Sequence, residues 1–186
     1  VLIALVPALA VAVYTFGARA LIHVVIAMVA SLVFETIYNK IVHHPNTVGD
    51  LSCLVTGVLI AFNIPVADPL WLSAFGALFG IIVVKMLFGG IGKNFMNPAL
   101  GARCFLLISF TGKMTYFVYD GVTGATPLAE LKAGETVNTM NMLIGNIRGT
   151  IGETSVLAIM IGAMFLIPLG IIDLRIPGTY IVTFVI

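Results

Sequence analysis

Charge is what this sequence has least of. Nine Lys or Arg and eight Asp or Glu make up 9% of 186 residues, against about a quarter in soluble domains. So few charges cannot clothe a water-facing surface, and 60% apolar residues with a mean hydropathy of +1.15 make the lipid bilayer the fitting solvent. The basic residues fall singly and form no stripe for a phosphate backbone, which excludes nucleic acid as a partner. Cysteine is equally scarce. Cys53 and Cys104 sit in separate apolar runs with no CxxC spacing and no cluster of His or Asp nearby, so small buried residues explain both better than metal or redox chemistry. A start Met, a basic leader and a small-residue cleavage site are also missing. The chain opens on Val1 inside one apolar run and stops at Ile186 inside another, and it is expected to be a fragment of a longer chain, truncated at both ends.

What the sequence does have is long apolar runs. A hydrocarbon core of about 30 Å takes roughly 20 helical residues. On that scale the expected spans are Val1 to Phe16 (cut short), Ala18 to Tyr38, Pro69 to Phe88, Ser155 to Ile172, and a last one from near Pro177. The expected fold is therefore all-α: a polytopic membrane helical bundle, one membrane domain over residues 1–186, with its longest polar loop at 111–135. Two apolar segments are too short to span. Leu51 to Asn63 is stopped by Asn63-Ile64-Pro65, and Pro98 to Phe110 is started by Asn97 as N-cap with Pro98 at the first helical position. They are either discontinuous half-helices lining a mid-membrane site or ordinary spans lengthened by flanking polar residues.

Two segments share a pattern. Thr47-Val-Gly-Asp50-Leu-Ser52 and Thr150-Ile-Gly-Glu153-Thr-Ser155 both read T-[VI]-G-[DE]-x-S ahead of an apolar run, and both have capping-box form, Thr accepting from the N–H three residues on while the acid reaches back. With three spans between them they would face opposite membrane sides, as an inverted repeat requires; two unrelated helix starts are the alternative. Asp50 and Glu153, as the matched acids, are candidates for a cation route, although capping alone would account for them. Arg19, His23, Glu35 and Lys85 lie near the ends of spans; snorkelling towards headgroups is the expectation for them, with an ion path the alternative.

Counting spans puts Lys40, Lys85, Lys93, Arg103 and Arg175 on one membrane face and Arg19, Lys113, Lys132 and Arg148 on the other. That small excess favours the first face as cytoplasmic and the 111–135 loop as extracytoplasmic. Within the loop, Asp120-Gly121 and Thr123-Gly124 are turn pairs, and Pro127 pushes Thr126 towards an extended backbone that presents its hydroxyl outward.

The stretch Asp120-x-x-Thr123-Gly124-Ala125-Thr126 resembles the flavinylation signal D-x-x-[S/T]-G-A-T, found in the D subunit of Rnf electron-transfer complexes and the B subunit of sodium-pumping NADH:quinone reductases. Five specified positions, each met at roughly one in fifteen, make a chance match in ~180 windows rarer than about one in a thousand. Lys93 to Arg103 and Gly145 to Ser155 are similar to segments of the same family, so the likeness covers most of the chain. It implies FMN joined by a phosphoester to Thr126, delivered by a flavin transferase that splits FAD and releases AMP, with Asp120, Thr123, Gly124 and Ala125 as the recognised sequence. Tyr116, Phe117 and Tyr119 are then candidates to stack on the ring system, or belt aromatics at the interface.

The implied role is that of a membrane component of a redox-driven translocase in a bacterial or archaeal cell membrane. It would relay electrons to partner subunits of an Rnf complex and be coupled to Na⁺ or H⁺. The chain would carry no complete active site of its own, and the sequence marks no place for the second, noncovalent flavin that the resemblance allows. The homologous quinone reductase component is the nearest rival, and a flavin-free transporter or channel the rival of another class.

Overall fold

The computed structural model describes residues 1–43, 47–119, 122–124, 126–134, 136–153 and 155–185, apart from the side chains of Tyr119, Val122, Thr123 and Val185. Helix α1 (Leu2–Phe16) turns at Gly17, whose φ of 74° suits a residue without Cβ, into α2 (Ala18–Ile41). With no Gly or Pro in its 24 residues, α2 runs about 36 Å, and among the described residues it is the one helix both long and apolar enough to cross a bilayer.

The short segments stay short. Helix α3 (Ser52–Phe62) follows Leu51, which is left-handed at φ 58°, and ends at Asn63; α5 (Pro98–Ser109) starts as expected, the Asn97 side chain accepting from the N–H of Ala99 at 2.9 Å. At 11 and 12 residues they reach roughly 17 and 18 Å, about half a bilayer core. Between them the expected Pro69–Phe88 span is α4 (Trp71–Leu78) running into a π-helical stretch, Phe79–Met86. Past α5 come α6 (Thr111–Met114), a two-residue hairpin of β1 (Val118–Tyr119) and β2 (Val122–Thr123), α7 (Pro127–Lys132), α8 (Thr139–Ile144), α9 (Val156–Leu166) and α10 (Arg175–Val185). Helix α9 is shorter than the Ser155–Ile172 run, which breaks into turns after Leu166, and α10 begins two residues before Pro177.

Helix α2 is the axis of the bundle, flanked by α1, α3, α4 and the π-helical stretch, while α9 packs on α1. The contacts rely on small residues, as lipid-embedded helices do when tails are as apolar as the side chains. Gly57 lies so near α2 that a Cβ there would sit 2.8 Å from the Ala27 carbonyl oxygen; one at Gly162 would collide with the carbonyl of Ala4. Gly57→Val is expected to force α2 and α3 apart and cost about 1–3 kcal/mol, measured as a lower thermal midpoint in detergent. The faces turned outward are apolar: Val25, Val29 and Leu32 on α2, Met164 and Phe165 on α9, Tyr180 and Phe184 on α10. Together with the composition they make this an all-helical membrane protein.

The end of α3 docks on the second of the matched segments. Pro65 bridges to Thr150, the Ile151 N–H donates to the Ile64 carbonyl at 3.2 Å, and the Gly152 N–H to that of Phe62 at 2.9 Å. This join carries the loop region back against the bundle.

Candidate functional site

Thr126 has the backbone that Pro127 imposes, φ −72° and ψ 156°. It is the residue before α7, yet its hydroxyl does not cap that helix, and the side chain is half-buried with no partner among the described residues. Among the described residues, nothing competes for that hydroxyl. Of the other motif residues, Asp120 and Ala125 lie outside the described residues, and Thr123 is described by its backbone alone, as part of β2. Gly124 donates its N–H to the Phe117 carbonyl at 3.3 Å. Tyr116 is exposed and Phe117 half-buried.

Gly124 also has a packing reason to be glycine. A Cβ there would fall 2.5 Å from Nη1 of Arg148 and 2.7 Å from its Cζ. The guanidinium lies against that position and donates from Nη1 to Glu130 Oε1 of α7 at 3.1 Å. Its Nε is buried without a partner among the described residues. Beside this pair opens a cavity of about 200 Å³, lined by Pro127, Glu130, Asn138, Asn141, Asn146 and Arg148. Sequence reasoning assigned Arg148 only to a membrane face; its contact with the motif depends on how the 145–155 segment folds back.

The matched acids do not form capping boxes. Thr47 Oγ1 donates to Glu35 Oε1 at 2.7 Å and makes no side-chain cap, and Thr150 Oγ1 is buried without a partner among the described residues. Helix α9 is capped by Ser155, whose Oγ accepts from the Ala158 N–H at 3.3 Å. Asp50 is exposed and accepts from the Ser52 N–H at 2.8 Å, while Glu153, also exposed, pairs with Arg103 at 2.6 Å. Burial alone would raise the Asp50 carboxyl; the hydrogen bonds from Ser52, with Lys85 behind them, outweigh it and the net shift is downward. Each acid is held by its own neighbours and they are not brought together.

Glu35 and Lys85 do not snorkel. Glu35 is 0% and Lys85 2% exposed, and Lys85 Nζ donates to Glu35 Oε2 and to Ser52 Oγ, both at 2.6 Å. Asn39 Nδ2 donates to Thr47 Oγ1 at 3.1 Å and extends the network. Two features of length explain the correction: α2 continues to Ile41, leaving Glu35 over one turn inside its end, and Lys85 lies within the π-helical stretch facing it. With Lys85 buried, the charge count across the membrane falls from five against four to four against four, and charge alone no longer orients the chain. Cys53 is buried as expected, whereas Cys104 is exposed.

Arg19 and His23 are tied to the bundle as well. Arg19 Nη2 donates to the Asp68 carbonyl at 3.0 Å, and His23 Nδ1 is 2.7 Å from Ser73 Oγ. In the loop before α4, Asp68 is 2% exposed, and burial pushes its carboxyl up to about 6 against the pull of Lys113 and Arg19. The folded chain thus holds this proton more tightly than the unfolded chain, whose Asp titrates near 3.9, so stability falls as pH rises from about 4 to 6 and is level above. Asp68→Asn is expected to flatten that slope and raise stability at pH 7.5 by about 2 kcal/mol, checked by unfolding in detergent at both ends of the range.

A family model described as NQR2, RnfD, RnfE matches residues 1–186, the whole chain. The chain belongs to that family. The D component of the Na(+)-translocating ferredoxin:NAD(+) oxidoreductase complex of Acetobacterium woodii is 50% identical over 195 residues, covering 100% of this chain and 61% of that protein. The B component of the Na(+)-translocating NADH-quinone reductase is 41% identical over 128 residues in Neisseria meningitidis serogroup A, covering 61% of this chain and 31% of that protein. Its counterpart in Pseudoalteromonas atlantica is 40% identical over 132 residues, 66% of this chain and 33% of that protein. The chain therefore spans less than two thirds of the length of these family members. By their names they are subunits of redox-driven, Na(+)-translocating complexes, and the family resemblance carried by the 120–126 segment is borne out at the level of the family.

Proposed function

We propose that this chain is part of the membrane D subunit of an ion-translocating ferredoxin:NAD⁺ oxidoreductase, an Rnf complex, and that it relays electrons through FMN held by phosphoester on Thr126. The observation that carries the reading is 50% identity to such a protein across the whole chain; identity to the quinone reductase component is lower and reaches 61% of the chain. The residues around Thr126 suit the group: an uncapped hydroxyl on extended backbone, glycine at 124, and a guanidinium whose buried Nε has no partner among the described residues.

In this reading attachment forms a bond from Thr126 Oγ1 to the phosphorus of the FMN half of FAD. The pyrophosphate linkage breaks, AMP departs, and the hydroxyl proton is lost. The flavin transferase supplies that chemistry, and this chain supplies the accessible nucleophile. When bound, the flavin accepts and releases electrons, and the tether fixes its distance from the centres of neighbouring subunits. The loop at 111–135 is extracytoplasmic in this proposal. Asp50 and Glu153 enter it as candidates for the Na⁺ or H⁺ route, and normal ion transport after Asp50→Asn with Glu153→Gln removes them.

Ferredoxin-driven NAD⁺ reduction by the purified complex, lost when this component is deleted, is the expected result. Quinone reduction by NADH in its place would transfer the chain to the quinone reductase branch.

A further inference from the structure

The flavinylation pattern says nothing of position 148, yet Arg148 is the cation folded against the motif. Its guanidinium lies on Gly124, two residues before Thr126, and pairs with Glu130, four residues after it and about 6 Å along α7. Thr126 is thus bracketed by the two contacts that hold Arg148. Of the guanidinium's donors, Nη1 is used by Glu130, while Nε is buried and lacks an acceptor among the described residues. A buried donor of this kind is costly unless satisfied, and charge-assisted bonds from Arg are the fitting partner for phosphate oxygens. The cavity beside it, about 200 Å³, is smaller than the roughly 300–1,000 Å³ of sites that swallow a whole cofactor, and its walls carry the amides of Asn138, Asn141 and Asn146.

We propose that Arg148 is a positioning residue that binds the phosphate of the phosphoester on Thr126, with the Asn-lined cavity taking the polar ribityl end and leaving the ring system at its mouth. The inference rests on the flavin reading of Thr126. Glu130 holds the guanidinium in place before the phosphate arrives, and Gly124 is required because a side chain there would displace it. A ring left at the mouth is open to electron exchange with another subunit.

The test uses the full-length protein in its complex, from cells with an active transferase, and compares Arg148→Gln, Arg148→Lys and Glu130→Gln with wild type. In-gel flavin fluorescence reports attachment; release of the flavin from folded protein by phosphodiesterase, and flavin anisotropy, report how the phosphate end is held. Arg148→Gln is expected to stay fluorescent on the gel while release quickens about tenfold, equivalent to ~1.4 kcal/mol, and anisotropy falls. Arg148→Lys should recover part of both. Glu130→Gln keeps the cation and loses only its brace, so it should quicken release by clearly less than Arg148→Gln does. If Glu130→Gln matches Arg148→Gln, the residue merely braces the loop and the inference is overturned. A bright Arg148→Gln band with wild-type release and anisotropy overturns it too. A dark wild-type band is a different outcome, the failure of the flavin reading itself.

Discussion

Thr126→Ala is expected to remove all flavin fluorescence from this protein's band on a denaturing gel under ultraviolet light, and the proposed phosphoester requires the wild-type band to glow. Only a covalently held flavin survives denaturation, so the signal reports the phosphoester and not a bound pool. The variant is informative because little else changes at 126. The hydroxyl does not cap α7, the extended backbone is imposed by Pro127, and the side chain has no partner among the described residues. Folding stability should move by less than about 0.5 kcal/mol, the range of surface substitutions away from special features. Thr126→Ser, which keeps a hydroxyl on the same backbone, should retain fluorescence. A dark wild-type band from cells with a working transferase would leave the chain a family member without this cofactor.

The second large effect is on stability and lies on the other side of the bundle. Removing one partner of the Glu35–Lys85 pair strands a charge that is at most 2% exposed, and breaking such a pair typically costs about 3–5 kcal/mol. Glu35→Gln leaves Lys85 with Ser52 alone; Lys85→Met leaves Glu35 with the Thr47 hydroxyl alone. Each single variant should therefore unfold well below wild type, whereas Glu35→Gln with Lys85→Met buries no net charge and should recover much of the loss. The measurement is a double-mutant cycle on thermal unfolding in detergent, with an expected coupling of about 1–3 kcal/mol. Additive single effects below about 1 kcal/mol would show the two side chains solvated independently.

These sites differ in how far the sequence revealed them. Thr126 was legible because its determinants are local: a proline at 127 sets the preceding backbone, and the motif residues are its neighbours in the chain. The start of α5 at Asn97-Pro98 was legible for the same reason, a cap and its helix being adjacent in the chain. The capping boxes failed because packing, not local pattern, places the hydroxyls: Thr47 is turned to a distant carboxylate, and Thr150 Oγ1 is buried without a partner among the described residues. Glu35, 12 residues from Thr47 in sequence, offers a carboxylate, and local pattern gives no hint of it.

What the sequence by itself determined is the solvent, the helical class, the start of α5, and Thr126 with its motif. All follow from composition or from neighbours in the chain. Only the tertiary structure decided that Glu35 meets Lys85 across 50 positions, and that Arg148 lies on Gly124 beside Thr126. Both contacts depend on which face a helix or returning segment presents after packing. In the first case a π-helical stretch that no propensity marks sets that face; in the second it is the docking of residues 150–152 on the end of α3. Burial then makes such pairings selective, because a charge left unpaired away from water costs more than most single contacts in the bundle can return.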